Sequence, residues 1–180
     1  MRRIGPAWFA LLAVALFILS AGCGARTNET GGSGGNGTPE GGGSGQTVSE
    51  AKITLFFTDD EMSDIVEQQT VIRYTDDEDK LKQALEALRT GAKEGAVSLW
   101  EKAEFKSVKA EGGAVTLDIH LPDEARFGAP GEALALESLK RTLFQFEEVE
   151  SIEVLVDGEA VDSLMGHEEL PHPIVRDESA

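Results

Sequence analysis

The stretch LESLKRTLFQFEEVESIEVLVDG, residues 136–158, decides the fold because a helical pattern passes directly into a strand pattern. Its first half carries apolar side chains at helical spacing, namely Leu136, Leu139, Leu143 and Phe146. This spacing predicts a helix that follows Pro130-Gly131 and ends near residue 146. Apolar side chains alternate in residues 151–156 and predict a strand, after which Asp157-Gly158 predicts a tight turn into a short return segment.

Two further strands are predicted near the start of the folded region. Residues 52–57 (KITLFF) are rich in β-branched and aromatic side chains, and Ile53, Leu55 and Phe57 share one face. Residues 69–74 (QTVIRY) form a second candidate strand, with Val71 and Ile72 as its apolar centre.

A first helix is predicted after the second strand. Thr75 and Glu78 have the spacing of a capping box, in which Thr75 caps the helix and Glu78 reaches back to a free backbone N–H. The apolar stripe that follows recurs at i, i+3, i+4 and i+7, and consists of Leu81, Ala84, Leu85 and Leu88. Gly91 is placed to end this helix.

A hairpin is predicted where residues 106–110 and 114–120 flank Glu111-Gly112-Gly113, because glycine tolerates the positive φ of tight turns. The inward side chains of its second strand are Val115, Leu117 and Ile119. The opposite face carries Thr116, Asp118 and His120, and this face is either solvated or a binding surface.

The resulting order is strand, strand, helix, hairpin, helix, strand. It predicts an α+β domain in which two amphipathic helices pack on one face of a small mixed sheet.

The N-terminus has the order of a bacterial export signal. Two arginines precede an uninterrupted apolar run of 13 residues, 7–19. The following LSAGC, residues 19–23, resembles a lipobox, in which small residues precede a cysteine that is diacylated before cleavage. We expect cleavage before Cys23, the sole cysteine, and attachment to the extracytoplasmic face of the membrane through its acyl lipid, such as palmitate. The alternative is an uncleaved apolar anchor over residues 4–22, since a membrane span needs about 20 residues.

Composition and charge divide the chain further. Residues 24–50 include ten glycines and predict a flexible linker. We therefore expect a signal peptide at 1–22, a lipidated linker at 23–50 and one folded domain at 51–177. Cleavage removes two arginines and no acidic residue, so the net charge of −17 becomes −19. That charge repels nucleic acid and leaves the lipid as the means of membrane attachment.

Catalytic and metal sites find little support in the sequence. The best metal cluster is His167-Glu168-Glu169 with His172, which offers two imidazoles and two carboxylates to an ion such as zinc. The two histidines are five residues apart, which aligns them poorly on a helix, and prolines on both sides of His172 favour an extended tail. A metal-dependent hydrolase therefore ranks last. We expect no catalytic residue and no cofactor other than the lipid on Cys23.

Three aromatic residues could belong to the core or to a binding face: Trp100, Phe144 and Phe146. Phe146 is expected in the core. Trp100 lies in the least predictable loop, so it is a possible binding-face residue and the single aromatic to test for contact with a partner.

Residues 53–176 resemble the GerMN domain of spore-germination and other bacterial envelope lipoproteins. The resemblance rests on ITLFF, ALEALRTG and VKAEGGAVTLDI, on the stretch quoted first, and on the closing GHEELPHPIVRD. One departure is that Gly91 is followed by Ala92 rather than proline, which alters the loop after the first helix. The resemblance implies a lipid-anchored interaction or scaffolding module in sporulation, germination or envelope assembly, without a catalytic motif.

Two functional hypotheses remain beside the hydrolase. The first is a non-enzymatic module that contacts an envelope protein. The second is a ligand-binding or peptidoglycan-binding lipoprotein that uses Thr116, Asp118 and His120.

Overall fold

The computed structural model describes residues 47–177. In chain order the elements are β1 (Ser49–Thr58), β2 (Ile65–Tyr74), α1 (Asp77–Thr90), β3 (Glu104–Glu111), β4 (Ala114–His120), α2 (Ala129–Phe144), β5 (Ser151–Val156), β6 (Glu159–Ala160) and β7 (Ile174–Val175). A single 3-10 turn, Asp123–Ala125, precedes α2. The predicted signal peptide, Cys23 and most of the predicted linker lie outside the described residues. None of the helices in the described part is long and apolar enough to cross a membrane.

The strands form two sheets rather than the one small mixed sheet that the sequence predicted, and the α+β class with two helices is confirmed. β1 and β2 form an antiparallel pair of their own. The larger sheet has the order β3-β4-β5-β6, with β7 also paired to β5. β4 and β5 are parallel, so the chain must cross between them, and α2 is the crossover.

A side chain explains why the two sheets stay separate. The Gln145 side-chain amide donates to the Thr54 carbonyl at 2.8 Å, and its oxygen accepts from the Thr54 N–H at 2.9 Å. Further along the same edge of β1, Thr58 exchanges backbone hydrogen bonds with Val97. The free edge of β1 is therefore capped, and no strand of the larger sheet pairs with it.

The two N-terminal strands are longer than predicted. β1 begins at Ser49, so the folded domain starts two residues before the predicted boundary. β2 begins at Ile65 rather than residue 69. Within β2, Ile72 is buried but Val71 is 59% exposed, because neighbouring side chains of a strand point to opposite faces. The prediction that both residues form an apolar centre is therefore wrong.

The cap of α1 lies one residue later than predicted. Asp76, not Thr75, is the N-cap, and its carboxylate accepts from the Asp79 N–H at 2.8 Å. The reciprocal bond comes from Asp79, whose carboxylate accepts from the Thr75 N–H at 2.9 Å. An aspartate three residues after the cap thus takes the role that the sequence assigned to Glu78, and Glu78 instead pairs with Lys82.

Both turns predicted from glycine are confirmed. Gly112 and Gly113 have φ of 56° and 86° in the β3–β4 hairpin, and Asp157 and Gly158 have φ of 53° and 83° after β5. α2 begins at Ala129, with Pro130 inside its first turn, and ends at Phe144, slightly before the predicted residue 146.

One hydrophobic core joins both helices to the inward faces of both sheets. The predicted inward residues Val115, Leu117 and Ile119 are buried, as are Ile152 and Val154 of β5. From α2, the core residues are Ala135, Leu136, Leu139 and Leu143.

The corrected cap of α1 gives a direct test. Replacing Asp76 with alanine should lower the free energy of unfolding by about 1 kcal/mol, because an N–H at the start of α1 loses its acceptor. Thr75→Ala should cost less, since it keeps the backbone N–H that donates to Asp79 at 2.9 Å and removes only two longer hydroxyl hydrogen bonds of 3.3 Å, to Asp76 and Asp79. Urea unfolding of both variants measures the difference. A larger loss from Thr75→Ala than from Asp76→Ala would contradict the assignment.

Candidate functional site

The outward face of β4 carries the predicted residues Thr116, Asp118 and His120, each half-buried or exposed. Two of them join a charged cluster with residues of β3 and the β5–β6 turn. The His120 Nδ1 lies 3.0 Å from both carboxylate oxygens of Asp157. The Lys106 Nζ lies 3.3 Å from Asp157 Oδ1 and 3.5 Å from Asp118 Oδ2. Asp118 also accepts from the Gly158 N–H at 2.8 Å, while Thr116 stands apart from these contacts.

Opposite charges balance one another in this cluster. The hydrogen bond with His120 is the main reason that the pKa of Asp157 is lowered, and the hydrogen bond to Asp157 is the main reason that the pKa of Lys106 is raised. Each charged form is thus favoured by its neighbour. The arrangement holds the Asp157-Gly158 turn against β4 and leaves Thr116 as the member of the predicted face that is free of the cluster.

The two candidate metal ligands, His167 and His172, contact different carboxylates and do not form one site. The His167 Nδ1 lies 3.0 Å from Glu132 Oε2. His172 contacts Glu153 through Nδ1 and, at 2.8 Å, the Val161 carbonyl through Nε2, and the Glu153 bond raises the pKa of His172. Within residues 47–177, no group of three or more histidine, cysteine, aspartate or glutamate side chains could hold a metal ion.

Glu132 is a buried carboxylate that sequence reasoning missed. It lies in the first turn of α2, and its side chain is 0% exposed. It accepts hydrogen bonds from the Ser163 hydroxyl at 2.6 Å, the Met165 N–H at 2.8 Å and the His167 N–H at 2.9 Å. Burial opposes the charged form, but these bonds outweigh it and hold the pKa of Glu132 at about 2. The carboxylate therefore fixes the segment after β6 against α2.

Trp100, a possible binding-face residue on the sequence, does not lie on the surface. Its side chain is fully buried, and the indole N–H lies 3.0 Å from the Ser138 hydroxyl and 3.2 Å from the Ala135 carbonyl, both on α2. Its ring also packs against Phe105, with ring centroids 5.6 Å apart. The irregular loop between α1 and β3 thus places this indole in the core. Phe146 is buried as predicted.

The aromatic residue that does line an open surface is Phe144. It contributes to a groove of about 620 Å³ between the C-terminal half of α2, β1 and the C-terminal segment. We call this the α2 groove, and its lining residues are Phe56, Glu137, Lys140, Arg141, Phe144, Gln145, Arg176 and Asp177. The guanidinium carbon of Arg141 lies 5.8 Å from the centroid of the Phe56 ring, and that of Arg176 lies 5.2 Å from the Phe144 ring.

The α2 groove is held in shape by hydrogen bonds. Arg176 donates to the carbonyls of Phe144, Phe146 and Val149, where the chain leaves α2, at 2.6 to 2.9 Å. This places a cation at the negative end of the helix dipole. Glu137 pairs with Arg141 at 2.6 Å and with Lys140 at 3.3 Å. Burial raises the pKa of Glu137, but these two bonds outweigh burial and the pKa is lowered.

The α2 groove combines cationic, aromatic and acidic side chains. The groove has three cationic side chains, two phenyl rings and two carboxylates. Its cations outnumber its carboxylates, although the chain as a whole has a net charge of −17. Its lining includes no serine, cysteine or histidine, and one of its two carboxylates, Glu137, is paired with Lys140 and Arg141. Sequence reasoning had identified Phe144 as an aromatic of uncertain role but could not find Phe56 and Arg176, which lie far away along the chain.

The buried carboxylate predicts a specific pH dependence. The pKa of Glu132 is about 2 in the folded chain against an ordinary value of 4.5, so its stabilisation is complete above pH 4.5 and is lost as pH falls towards 2. We expect Glu132→Gln to lower the free energy of unfolding by about 3 kcal/mol at pH 7, and by progressively less as pH falls below 4.5.

Urea unfolding between pH 2 and pH 7 measures this effect. Glu169→Gln, an exposed change in the same segment, is the control and should follow the parent chain. A Glu132→Gln penalty that stays constant from pH 7 to pH 2 would contradict the assigned ionisation.

Comparison with solved structures supports the fold. The chain is 25% identical to a candidate lipoprotein from Clostridium perfringens, covering 71% of this chain and 88% of that one, with a TM-score of 0.50. The first GerMN domain of the sporulation protein GerM from Bacillus subtilis is 18% identical, covering 70% of this chain and 98% of that one, with a TM-score of 0.56. The tandem GerMN domains of the same protein are 20% identical, covering 71% of this chain and 46% of that one, with a TM-score of 0.52.

No curated protein matches the sequence significantly. The family model Germane, described as sporulation and spore germination, matches residues 54–162. That match spans more than half of the chain, from β1 to the segment after β6, and it confirms the resemblance to GerMN domains seen in the sequence. The chain therefore belongs to the Germane family of sporulation and spore-germination domains.

Proposed function

We propose that this chain is a lipid-anchored, extracytoplasmic interaction module, and that the α2 groove is the surface that receives an envelope protein during sporulation, germination or envelope assembly. The observation that carries the proposal is the groove itself, an apolar and cationic surface on an otherwise acidic chain. The proposed role is a non-catalytic one because the resemblance to GerMN domains carries no catalytic motif.

The groove has the composition of a protein-binding surface. Arginine and aromatic side chains are enriched at the residues that dominate binding energy in interfaces. Arg141 and Phe56 are half-buried or exposed and adjacent, so a partner can cover both. The hydrogen bonds of Arg176 and Gln145 fix the walls before binding, which reduces the entropy that association must offset. An extended segment with apolar and acidic side chains would suit both the rings and the cations.

The anchor is proposed from the N-terminal sequence. Residues 19–23 resemble a lipobox, with Ser20 at the position usually held by leucine, and the glycine-rich stretch up to residue 46 separates Cys23 from β1. The composition of that stretch leads us to expect a span of roughly 30 Å by random-coil scaling. A tether of this length lets the domain present its groove away from the membrane surface.

A second candidate function is binding of peptidoglycan or another ligand by the outward face of β4. The observation that favours it is the open position of Thr116, Asp118 and His120 on the larger sheet. Because Asp118 and His120 are engaged with Lys106, Asp157 and the Gly158 N–H, a glycan would have to compete for these groups. Co-sedimentation with purified peptidoglycan, abolished by Thr116→Lys but not by Arg141→Glu, would favour this candidate over the α2 groove.

The anchor is tested by replacing the cysteine. Cys23→Ala removes the lipid acceptor, so an otherwise folded domain should be released from the membrane or mislocalised. Fractionation of cells, with Ser20→Ala as a control that should stay in the membrane fraction, measures the change. A Cys23→Ala chain that remains membrane-bound would instead indicate an uncleaved helix over residues 4–22.

The groove is tested by photocrosslinking in intact sporulating cells. A photoreactive phenylalanine analogue at Phe56 should form an adduct with an envelope protein, and the same analogue at the exposed Lys109 of β3 should not. Arg141→Glu should reduce the adduct roughly tenfold, as expected for the loss of an interface hot spot. Lys82→Glu, the same charge change on α1, is the matched control. Equal adducts from positions 56 and 109, or no effect of Arg141→Glu, would refute the groove as the binding surface.

A further inference from the structure

Within the part of the chain that the structure describes, one edge of β2 is unpaired, and its backbone groups point away from β1. The backbone of Thr54 is taken by Gln145 and that of Thr58 by Val97, so both residues direct their N–H and C=O away from β2. Along an antiparallel pair of strands, residues that hydrogen-bond to the partner strand alternate with residues whose backbone groups point the other way. The residues of β2 opposite them, Gln69 and Ile65, therefore direct their own backbone groups outward as well.

The same alternation extends along the strand. The outward-directed residues of the central and C-terminal part of β2 are Glu67, Gln69, Val71 and Arg73. Within residues 47–177, β2 pairs with β1 alone, and these four residues have no other backbone hydrogen bond. An unpaired row of this kind is a template for another strand.

The edge of β3 provides an internal comparison. β3 is also an edge strand, but its pairing is interrupted by a bulge between Phe105 and Ser107, and it carries Lys106 and Lys109. Bulges and lysines are the devices by which proteins prevent pairing at exposed edges. β2 has neither lysine nor proline, and its ten pairs with β1 run without a register shift. Only the β3 edge is therefore protected in this way.

The outward-facing side chains of β2 are self-complementary. They alternate on the solvent face as Glu67, Gln69, Val71 and Arg73, with Val71 59% exposed and the Arg73 side chain 75% exposed. An antiparallel copy centred on Thr70 places Glu67 opposite Arg73 of the second copy, twice, and Gln69 opposite Val71, twice. Opposite charges facing each other across strands are stabilising and like charges are destabilising.

Other registers lose this complementarity. A pairing centred on Gln69 places Glu67 opposite Val71 of the second copy. A pairing centred on Val71 leaves Glu67 without an opposite residue, because that position lies beyond the end of β2. A pairing centred on Glu67 or on Arg73 brings like charges together. The register centred on Thr70 is the one in which both charged residues meet an opposite charge.

We propose that β2 pairs with β2 of a second copy of this chain, antiparallel and centred on Thr70, so that the two-stranded sheet becomes a continuous four-stranded sheet. About eight new backbone hydrogen bonds form across the twofold axis, two for each of four outward-directed pairs. Arg73, which already contacts Glu50 of its own chain at 2.7 Å, then lies between two carboxylates. The α2 groove lies along the opposite edge of β1 and stays open in this dimer, so the proposal is independent of the groove function.

The test uses charge reversal and mixing. The full-length chain is purified in detergent at a large excess of micelles over protein, and its dimer fraction is measured by native mass spectrometry. Glu67→Arg places two arginines opposite each other, and Arg73→Glu places two glutamates opposite each other. Each variant alone should lose dimer at least about tenfold, because like charges directly opposite each other across strands are destabilising and each dimer would contain two such pairs.

Mixing the two variants in equal amounts should restore the dimer, because each arginine at position 67 then meets a glutamate at position 73 and each native arginine meets a native glutamate. Glu111→Arg and Lys109→Glu on β3 are the matched controls and should dimerise like the parent chain. Circular dichroism confirms that every variant is folded.

Three results would overturn the proposal. The first is a monomeric parent chain at all concentrations tested, and the second is loss of dimer in both β2 variants without recovery on mixing. The third is a dimer that appears only after residues 24–46 are deleted, which would mean that the chain's own N-terminal segment occupies the β2 edge.

Discussion

The burial of α2 is the constraint on which the rest of the domain depends. β4 and β5 are parallel neighbours, and a parallel pair requires a crossover that covers one face of the sheet. α2 is that crossover, and it packs Leu139 and Leu143 into the core without exposure. Because the helix is fixed in this way, polar side chains along its length can hold segments that have no regular structure of their own.

Three such attachments organise the domain. At the start of α2, Glu132 holds the segment from Ser163 to His167, and in the middle of the helix Ser138 and the Ala135 carbonyl receive the Trp100 indole. Just after its last residue, Gln145 holds the edge of β1 as a neighbouring strand would. Gln145 helps to place Phe56 beside Arg141 in the α2 groove, and because it occupies the β1 edge, the edge of the pair left unpaired within residues 47–177 is that of β2. The two proposed interaction surfaces are therefore consequences of one helix.

The sequence predicted the features that depend on near neighbours. Turns were found from Gly112-Gly113 and Asp157-Gly158, whose positive φ is a local requirement, and the inward residues of β4 and β5 followed from alternation. The lipobox and glycine-rich segment also led to a definite expectation about Cys23. The family followed from motifs spread over the folded region and is shown by the match to residues 54–162.

The features that were missed depend on partners far apart in the chain. Trp100 and Ser138 are 38 residues apart, Thr54 and Gln145 are 91 apart, and Glu132 accepts from residues more than 30 positions away. An indole, a glutamine or a glutamate in isolation gives no sign of such a partner. The same reason explains why the strands were expected in one sheet, since only Gln145 and Val97 reveal that the edge of β1 is closed.

The central claim is that α2 joins the two sheets into one cooperative unit, and native-state hydrogen exchange of the full-length chain tests it most directly. The ladder amides of β1, at Ile53 and Leu55, should exchange with the same free energy of opening as those of Leu117 in β4 and Val154 in β5, because all four require release of the same helix. Exchange of the β1 amides through a separate opening, lower by several kcal/mol than that of β4 and β5, would contradict the claim.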